Sequence, residues 1–213
     1  MKFVEQEKRT IDYYNKSGRE WAAARGGNEV SYWLGEMQKF RSLLRAGRIL
    51  EIGSGSGRDA LELIKFGYEY IGTDASKGLI EIAQEKNPGA VFENKSVFDL
   101  DYPEGVFDGF WTAATLLHIP KNRIDQALEG IARVVKPGSV GFISMKQGKG
   151  ENEDASTGRW FAYYSQLEFI EVLERNGFEI KDCEIRHGDR DIWLIFYVFK
   201  KLIISPNKLQ VNS

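Results

Sequence analysis

The chain carries one cysteine in 213 residues, a formal net charge of only −2 and no internal repeat. A lone cysteine, Cys183, excludes an intramolecular disulfide and fits a reducing compartment. The longest apolar run, residues 192–199, has strand length and ends at Lys200-Lys201, so no segment reads as a membrane span. The first residues, Met1-Lys2-Phe3-Val4-Glu5-Gln6-Glu7-Lys8, are too polar for a secretory signal. Without a basic excess, strong non-specific nucleic-acid binding is not expected. What is present is ordinary for a globular chain: 42% hydrophobic and 28% charged residues. The expectation is a soluble cytoplasmic protein, monomeric or homodimeric, with no membrane attachment.

One further absence carries more information. Gly53, Gly55 and Gly57 alternate directly after the apolar run Ile49-Leu50-Glu51-Ile52 and before a helical pattern. Glycines there let the backbone turn tightly and approach a ligand. The helix that follows offers unpaired N–H groups to a polar ligand end. A dinucleotide loop, G-x-G-x-x-G, would need glycine at position 58, and Arg58 stands there. The pattern E-x-G-x-G-x-G points instead to a different nucleoside cofactor. Asp74 closes the next apolar run. Its carboxylate can accept hydrogen bonds from both hydroxyls of a ribose, or, as part of Asp-Ala-Ser, cap the next helix.

Periodicity places strands at residues 48–53, 68–73, 90–94, 107–112, 140–145, 178–186 and 192–199. Between them lie helices at 59–66, from Ser76 to Asn87-Pro88-Gly89, at 121–136, and from the capping box Ser165-Gln166-Leu167-Glu168 to Asn176-Gly177. Lys136-Pro137-Gly138 reads as a turn, and residues 147–157 as a polar loop whose acidic run Glu151-Asn152-Glu153-Asp154 is solvated rather than a metal site. Residues 1–47 form a helical, aromatic-rich N-terminal cap, with helical spacing over 31–46. The alternation defines an α/β chain with a mostly parallel sheet covered on both faces.

Glu51-Ile52-Gly53-Ser54-Gly55-Ser56-Gly57, Gly72-Thr73-Asp74-Ala75-Ser76, Phe107-Asp108-Gly109-Phe110-Trp111, Leu117-His118-Ile119-Pro120 and Val135-Lys136-Pro137-Gly138 follow one another along the chain. In order and spacing they resemble the motifs of class I S-adenosylmethionine-dependent methyltransferases. The resemblance covers about residues 45 to 200. It implies a three-layer Rossmann-like sandwich with a seven-stranded sheet and an antiparallel last strand beside the fifth. It divides the chain into a cap (1–47), a S-adenosylmethionine-binding domain (48–200) and a C-terminal tail (201–213).

The resemblance also implies roles. Glu51, Gly53, Ser54 and Gly55 would hold the methionyl end of the cofactor, and Asp74 with Ala75 the ribose. Ser96, Val97 and Phe98 would border the adenine, and Thr112 would sit beneath the sulfonium. Where Ser96 falls, the family often has an acid; Asp99 is a candidate substitute. Tyr14 and Trp21 resemble the segment that closes over the cofactor in relatives, with Gly18 at the usual alanine; Trp21 also suits simple packing.

Methyl transfer needs a base only if the acceptor must lose a proton. His118 is the candidate, or else it merely shapes the pocket. Gly158-Arg159-Trp160-Phe161-Ala162-Tyr163-Tyr164-Ser165 resembles a segment of small bacterial methyltransferases. Arg159, Tyr163 and Tyr164 are candidate contacts for a small-molecule substrate; alternatively Phe161 and Tyr164 anchor the loop and Arg159 pairs with a surface acid. The competing functions are a nicotinamide-dinucleotide oxidoreductase and a non-catalytic S-adenosylmethionine-binding regulator.

Overall fold

The computed structural model describes residues 4–24 and 31–202. The C-terminal tail expected from the sequence lies, from residue 203 on, outside the described residues. Two helices, α1 (Glu5–Ala23) and α2 (Leu34–Leu43), precede the alternating elements β1 (Arg48–Ile52), α3 (Ala60–Lys65), β2 (Glu69–Asp74), α4 (Lys77–Lys86), β3 (Val91–Asn94), β4 (Phe107–Ala113), α5 (Ile124–Val134) and β5 (Val135–Lys146). A short hairpin follows, β6 (Glu151–Glu153) and β7 (Trp160–Ala162), then α6 (Gln166–Arg175), β8 (Phe178–His187) and β9 (Ile192–Lys200).

Seven strands form one sheet in the order β3-β2-β1-β4-β5-β9-β8. Every described pairing from β3 to β5 is parallel, while β9 runs antiparallel between β5 and β8. The last strand is therefore inserted, as expected. The order reverses on either side of β1, so the switch point lies between β1 and β4, where open α/β sheets bind ligands.

Each face of the sheet has its own core. Trp33, Met37, Phe40, Leu63, Ile80 and Ala83 of the α2–α4 side pack on Ile49, Trp111 and Phe142. Leu128, Ile131, Phe169 and Leu173 of α5 and α6 pack on Leu50, Phe110, Ile143 and Phe196. Trp111 and Phe142, neighbours across β4 and β5, stack with ring centroids 3.7 Å apart. Among the described residues, no helix is long and apolar enough to cross a membrane.

Local chemistry sets the helix starts. Ser76 accepts from the Leu79 amide at the start of α4. Ser165 and Glu168 complete the expected capping box at α6, accepting from each other's amides at 3.2 and 3.3 Å. Three expectations need correction. α2 spans only Leu34–Leu43 rather than 31–46. Lys136-Pro137-Gly138 does not separate helix from strand: β5 already begins at Val135, and the three residues lie in a register shift opposite Phe107 and Gly109. The polar loop 147–157 contains β6, whose residues pair with β7. Its acidic run is engaged, because Glu153 takes a 2.5 Å ion pair from Arg9 of α1 and Glu151 accepts from the Lys121 amide and Trp160 Nε1.

Gly141 of β5 shows how tightly the sheet is filled. A Cβ there would lie 2.2 Å from two ring atoms of the buried Phe110 and 2.8 Å from Val198. Gly141→Ala is expected to cost about 1–3 kcal/mol by overpacking. Urea unfolding should show a lower midpoint at unchanged slope; an unchanged midpoint would mean that the two faces give way more easily than the contacts indicate.

Candidate active site

The carboxyl end of β1 is tied to that of β2. The amides of Gly53 and Ser54 both donate to the Thr73 carbonyl, at 2.7 and 2.9 Å, and the turn closes with Gly57 N donating to Ser54 O. Gly53 has φ 73° and lies under Thr115, whose side chain would be 2.1 Å from a Cβ at that position. Only glycine satisfies both the left-handed backbone and that contact. The Gly55 amide donates to Asp74 Oδ2 at 2.9 Å, and the Ser76 amide to Oδ1 at 2.8 Å. Asp74 thus stabilises the turn before α4 and faces the glycine loop at once, while the cap of α4 is Ser76.

Burial raises the Asp74 carboxyl to about 6, against the lowering effect of the Ser76 and Gly55 amides. Glu51 is 3% exposed, and burial, reinforced by the nearby Asp59, pushes its carboxyl well above the usual range. The Tyr70 hydroxyl donates to it. Asp59 accepts from Ser31 Oγ at 2.7 Å and from Trp111 Nε1 at 3.0 Å, with Arg58 Nε 3.6 Å away. Three carboxyl groups therefore gather beside the loop amides, a setting for hydroxyl and ammonium donors.

One cavity of ≈ 970 Å³ runs along these strand ends, near the upper end of the about 300–1,000 Å³ usual for ligand sites. It is lined by Tyr14, Trp21, Glu51, Gly53, Ser54, Gly55, Asp74 and Ala75, and on its far wall by Ser96, Val97 and Phe98. The Ser54 hydroxyl is buried there with no hydrogen-bond partner among the described residues. The ring of Trp21 faces Gly55, 3.6 Å from where a Cβ would stand. Thr112 does not reach the cavity: it is fully buried within β4, and the lining passes to Ala113, Ala114 and Thr115 where the chain leaves the strand. Asp99 is exposed and also off the cavity, so it does not replace the missing acid at Ser96.

The other half of the cavity is assembled by α1 and the β6–β7 hairpin. Trp160 N donates to Thr10 Oγ1 of α1 at 2.9 Å. Arg159 Nη1 donates to the Tyr14 hydroxyl at 3.1 Å, and that hydroxyl lies 3.1 Å from His118 Nε2. His118 Nδ1 is 2.7 Å from the Trp160 carbonyl oxygen. A carbonyl can only accept, so Nδ1 carries a proton, and in the neutral ring Nε2 accepts from the Tyr14 hydroxyl. Tyr14, His118 and Arg159, drawn from three distant stretches of sequence, are thereby brought together.

Tyr163 and Tyr164 are not. Neither lines the cavity: Tyr163 covers Gly148, and Tyr164 is a core residue against Phe169, beneath the Lys121 ammonium. They anchor the hairpin rather than contact a ligand. Tyr32, Trp33, Lys146, Trp193 and residues 188–191 line this half without having been singled out. The antiparallel insertion of β9 brings them here, because its first residues pair with the last of β5, Trp193 opposite Lys146.

Comparison with known proteins agrees with this architecture. The chain superposes on Burkholderia thailandensis 1,6-didemethyltoxoflavin-N1-methyltransferase, solved with 1,6-didemethyltoxoflavin and S-adenosylhomocysteine, with a TM-score of 0.78 at 17% identity over 94% of this chain and 92% of that one. It superposes on the magnesium protoporphyrin IX methyltransferase of Synechocystis with bound S-adenosylmethionine, with a TM-score of 0.71 at 16% identity over 94% of this chain and 100% of that one. At such identities the likeness is one of fold, and the fold is that of class I S-adenosylmethionine-dependent methyltransferases. Residues 49–138 match a family model described as a methyltransferase domain. In sequence it is 35% identical over 105 residues to the O-methyltransferase rstn1 of Aspergillus nomiae, covering 46% of each protein. The chain spans about half the length of the curated relatives it matches.

The His118 tautomer is directly measurable. Nitrogen–proton correlation spectra of the imidazole should show a protonated Nδ1 and a bare Nε2 near neutral pH. Tyr14→Phe should shift Nε2 while leaving the tautomer in place. A protonated Nε2 with a bare Nδ1 would contradict the hydrogen bond to Trp160.

Proposed function

We propose that the protein is an S-adenosylmethionine-dependent methyltransferase acting on a small molecule. The observation that carries this reading is the continuity of one cavity from the glycine loop and Asp74 to His118 and Arg159. The residues fit the cofactor. Asp74 accepts from the ribose hydroxyls, the Gly53–Gly55 backbone and the buried Ser54 hydroxyl meet the amino-acid end, and Glu51 faces its ammonium. Ser96, Val97 and Phe98 border the base, and Trp21 covers the loop.

When bound, the cofactor supplies an already activated methyl group. The chain's own residues then have to bind, align and keep water out, effects that reach about 7–11 kcal/mol for well-oriented reactants. Where the acceptor is a hydroxyl, His118 Nε2 suits the removal of its proton, since the Trp160 carbonyl holds the proton on Nδ1. Arg58 in place of the third dinucleotide glycine, beside Asp59, weighs against a nicotinamide cofactor.

S-adenosylmethionine and S-adenosylhomocysteine should each raise the melting temperature, and NADH should not. A ligand at a hundredfold its dissociation constant contributes about 2.7 kcal/mol. Stabilisation by NADH alone would reject the reading.

Asp74 adds a pH test. Its folded value of about 6 lies above the ordinary 3.8. The folded state therefore binds the extra proton between those values, and the ligand-free protein loses stability through this group as pH rises across that window. A ribose donates to the ionised carboxylate, so S-adenosylhomocysteine affinity should rise up to about tenfold from about pH 5 to 7 and level off above that. Calorimetric titration checks this, with Asp74→Asn expected to bind about 1–3 kcal/mol more weakly and to lose the pH dependence. An unaltered profile in the variant would place the ribose elsewhere.

A further inference from the structure

We propose that the second half of the cavity takes a planar aromatic carboxylate, with Arg159 holding the carboxylate. Calling this molecule the methyl acceptor rests on the methyltransferase reading; the anion site itself stands on the geometry around Arg159.

Arg58, Lys95, Lys146, Arg159 and Arg190 bring positive charge to the cavity lining. Arg58 lies beside Asp59 at 3.6 Å, Lys95 between Glu93 and Asp101, and Lys146 2.9 Å from Asp191. Arg190 is exposed at the rim, where water solvates it. Arg159 is half-buried and has no acid within ion-pair distance among the described residues. Its contacts are neutral: Nε donates to Thr157 Oγ1 at 3.1 Å and Nη1 to the Tyr14 hydroxyl at 3.1 Å.

The acid nearest in sequence is already committed. Asp154 Oδ1 accepts from the amides and hydroxyls of both Ser156 and Thr157, which lower its carboxyl to about 2. The Asp154 amide donates to the Arg159 carbonyl at 2.8 Å, but the guanidinium meets the carboxylate only through the Thr157 hydroxyl. Glu151 and Glu153 are likewise engaged by Lys121, Trp160 and Arg9. The alternative raised from sequence, an Arg159 paired with a surface acid, is thus not what the chain adopts. A guanidinium held in place by neutral hydroxyls, at a cavity wall and without a counter-charge, presents a fork suited to a carboxylate.

The walls around it are flat and aromatic. The guanidinium lies 4.9 Å from the Tyr13 ring centroid and 5.2 Å from that of Phe161. Phe161 also packs 4.8 Å from the His118 ring and under the Lys146 ammonium, itself near Trp193. Ring faces with an anion fork at one side select a planar ring bearing a carboxylate. The acidic half, with Glu51, Asp59 and Asp74, would repel such a molecule and keep it out of the cofactor's place.

Three probes separate charge from shape: 4-hydroxybenzoate, its neutral methyl ester and the non-planar anion cyclohexanecarboxylate. Dissociation constants are measured by calorimetry on the full chain, with and without S-adenosylhomocysteine. 4-Hydroxybenzoate should bind at least tenfold more tightly than either comparison compound. Arg159→Gln should reduce it to the level of the ester, Arg159→Lys should recover part of the loss, and both should keep S-adenosylhomocysteine affinity within about threefold. Equal binding of acid and ester, equal binding by Arg159→Gln, or no binding of the acid at millimolar concentration overturns the proposal. If the acid binds through Arg159 while S-adenosylhomocysteine does not bind, the anion site stands and the methyltransferase reading falls. The reverse result retains that reading and removes the aromatic acid.

Discussion

The Thr73 carbonyl, accepting from two successive amides of the glycine turn, is the joint on which the ligand end depends. It fastens the end of β1 to the end of β2 one residue before Asp74, so Asp74 reaches the Gly55 amide without any side chain bridging the gap. Gly53 then admits Thr115, whose hydroxyl lies 3.3 Å from the Gly53 carbonyl oxygen and 3.1 Å from that of Ala113. Three strand ends are thereby knitted by the Thr73 carbonyl, the Asp74 carboxylate and the Thr115 hydroxyl. A side chain at Gly53 would separate β4 from β1 and move the segment leading to His118. The loop's glycines thus do more than clear space for a ligand, because two of them also let neighbouring elements close in: Thr115 over Gly53, and Asn87 with Ala83 against Gly57.

The cavity is electrostatically divided. Burial raises both Glu51 and Asp74 at one end, and Asp59 and Asp74 add to the rise at Glu51. At the other, Lys146 is paired with Asp191 while Arg159 has no acid partner among the described residues. The two ends of one cavity therefore differ in electrostatic character without a wall between them. Burying charges in this way costs free energy, and the hydrogen bonds from Tyr70, Gly55 and Ser76 offset part of it.

The succession of strands, the helix caps and the loop–Asp74 pair were legible because each rests on local signals: apolar runs, a capping box, glycines at a strand end. The hairpin β6–β7 was not, since three-residue strands of exposed Glu-Asn-Glu carry no apolar alternation and are held by pairing and by Arg9, 144 residues away in sequence. Thr112 and Tyr164 share another cause. Thr112 sits one residue before the lining begins at Ala113 and Tyr164 three residues beyond Phe161, and alternation in a strand or the entry to a helix decides which neighbour faces inward. Residues 188–191 looked like a plain surface turn. They become cavity residues only because β9 runs antiparallel, and that expectation, followed through to where the strand must start, would have put the turn at the ligand end.

α1 joins the two halves. Tyr14 and Trp21 are seven residues apart, two helical turns, and so share a face; their rings meet edge to face with centroids 5.3 Å apart. One reaches His118 and Arg159, the other the glycine loop. Small residues bring the helix close to α4: a Cβ at Gly18 would lie 3.2 Å from Leu79, and one at Gly78 would be 3.0 Å from the Asn15 carbonyl oxygen. This explains the departure from the usual alanine at position 18. Its further ties are polar: the exposed pairs Arg9–Glu153 and Arg19–Glu85, the buried pair of Glu7 with Arg123, and Asn15 Oδ1 accepting from Ser76 Oγ and the Gly78 amide. A helix whose buried residues are Glu7, Thr10, Gly18 and Ala22 is thus seated by close backbone approach and polar contacts more than by an apolar stripe. That seating fixes Tyr14 and Trp21 together, so one helix sets the walls of both halves of the cavity.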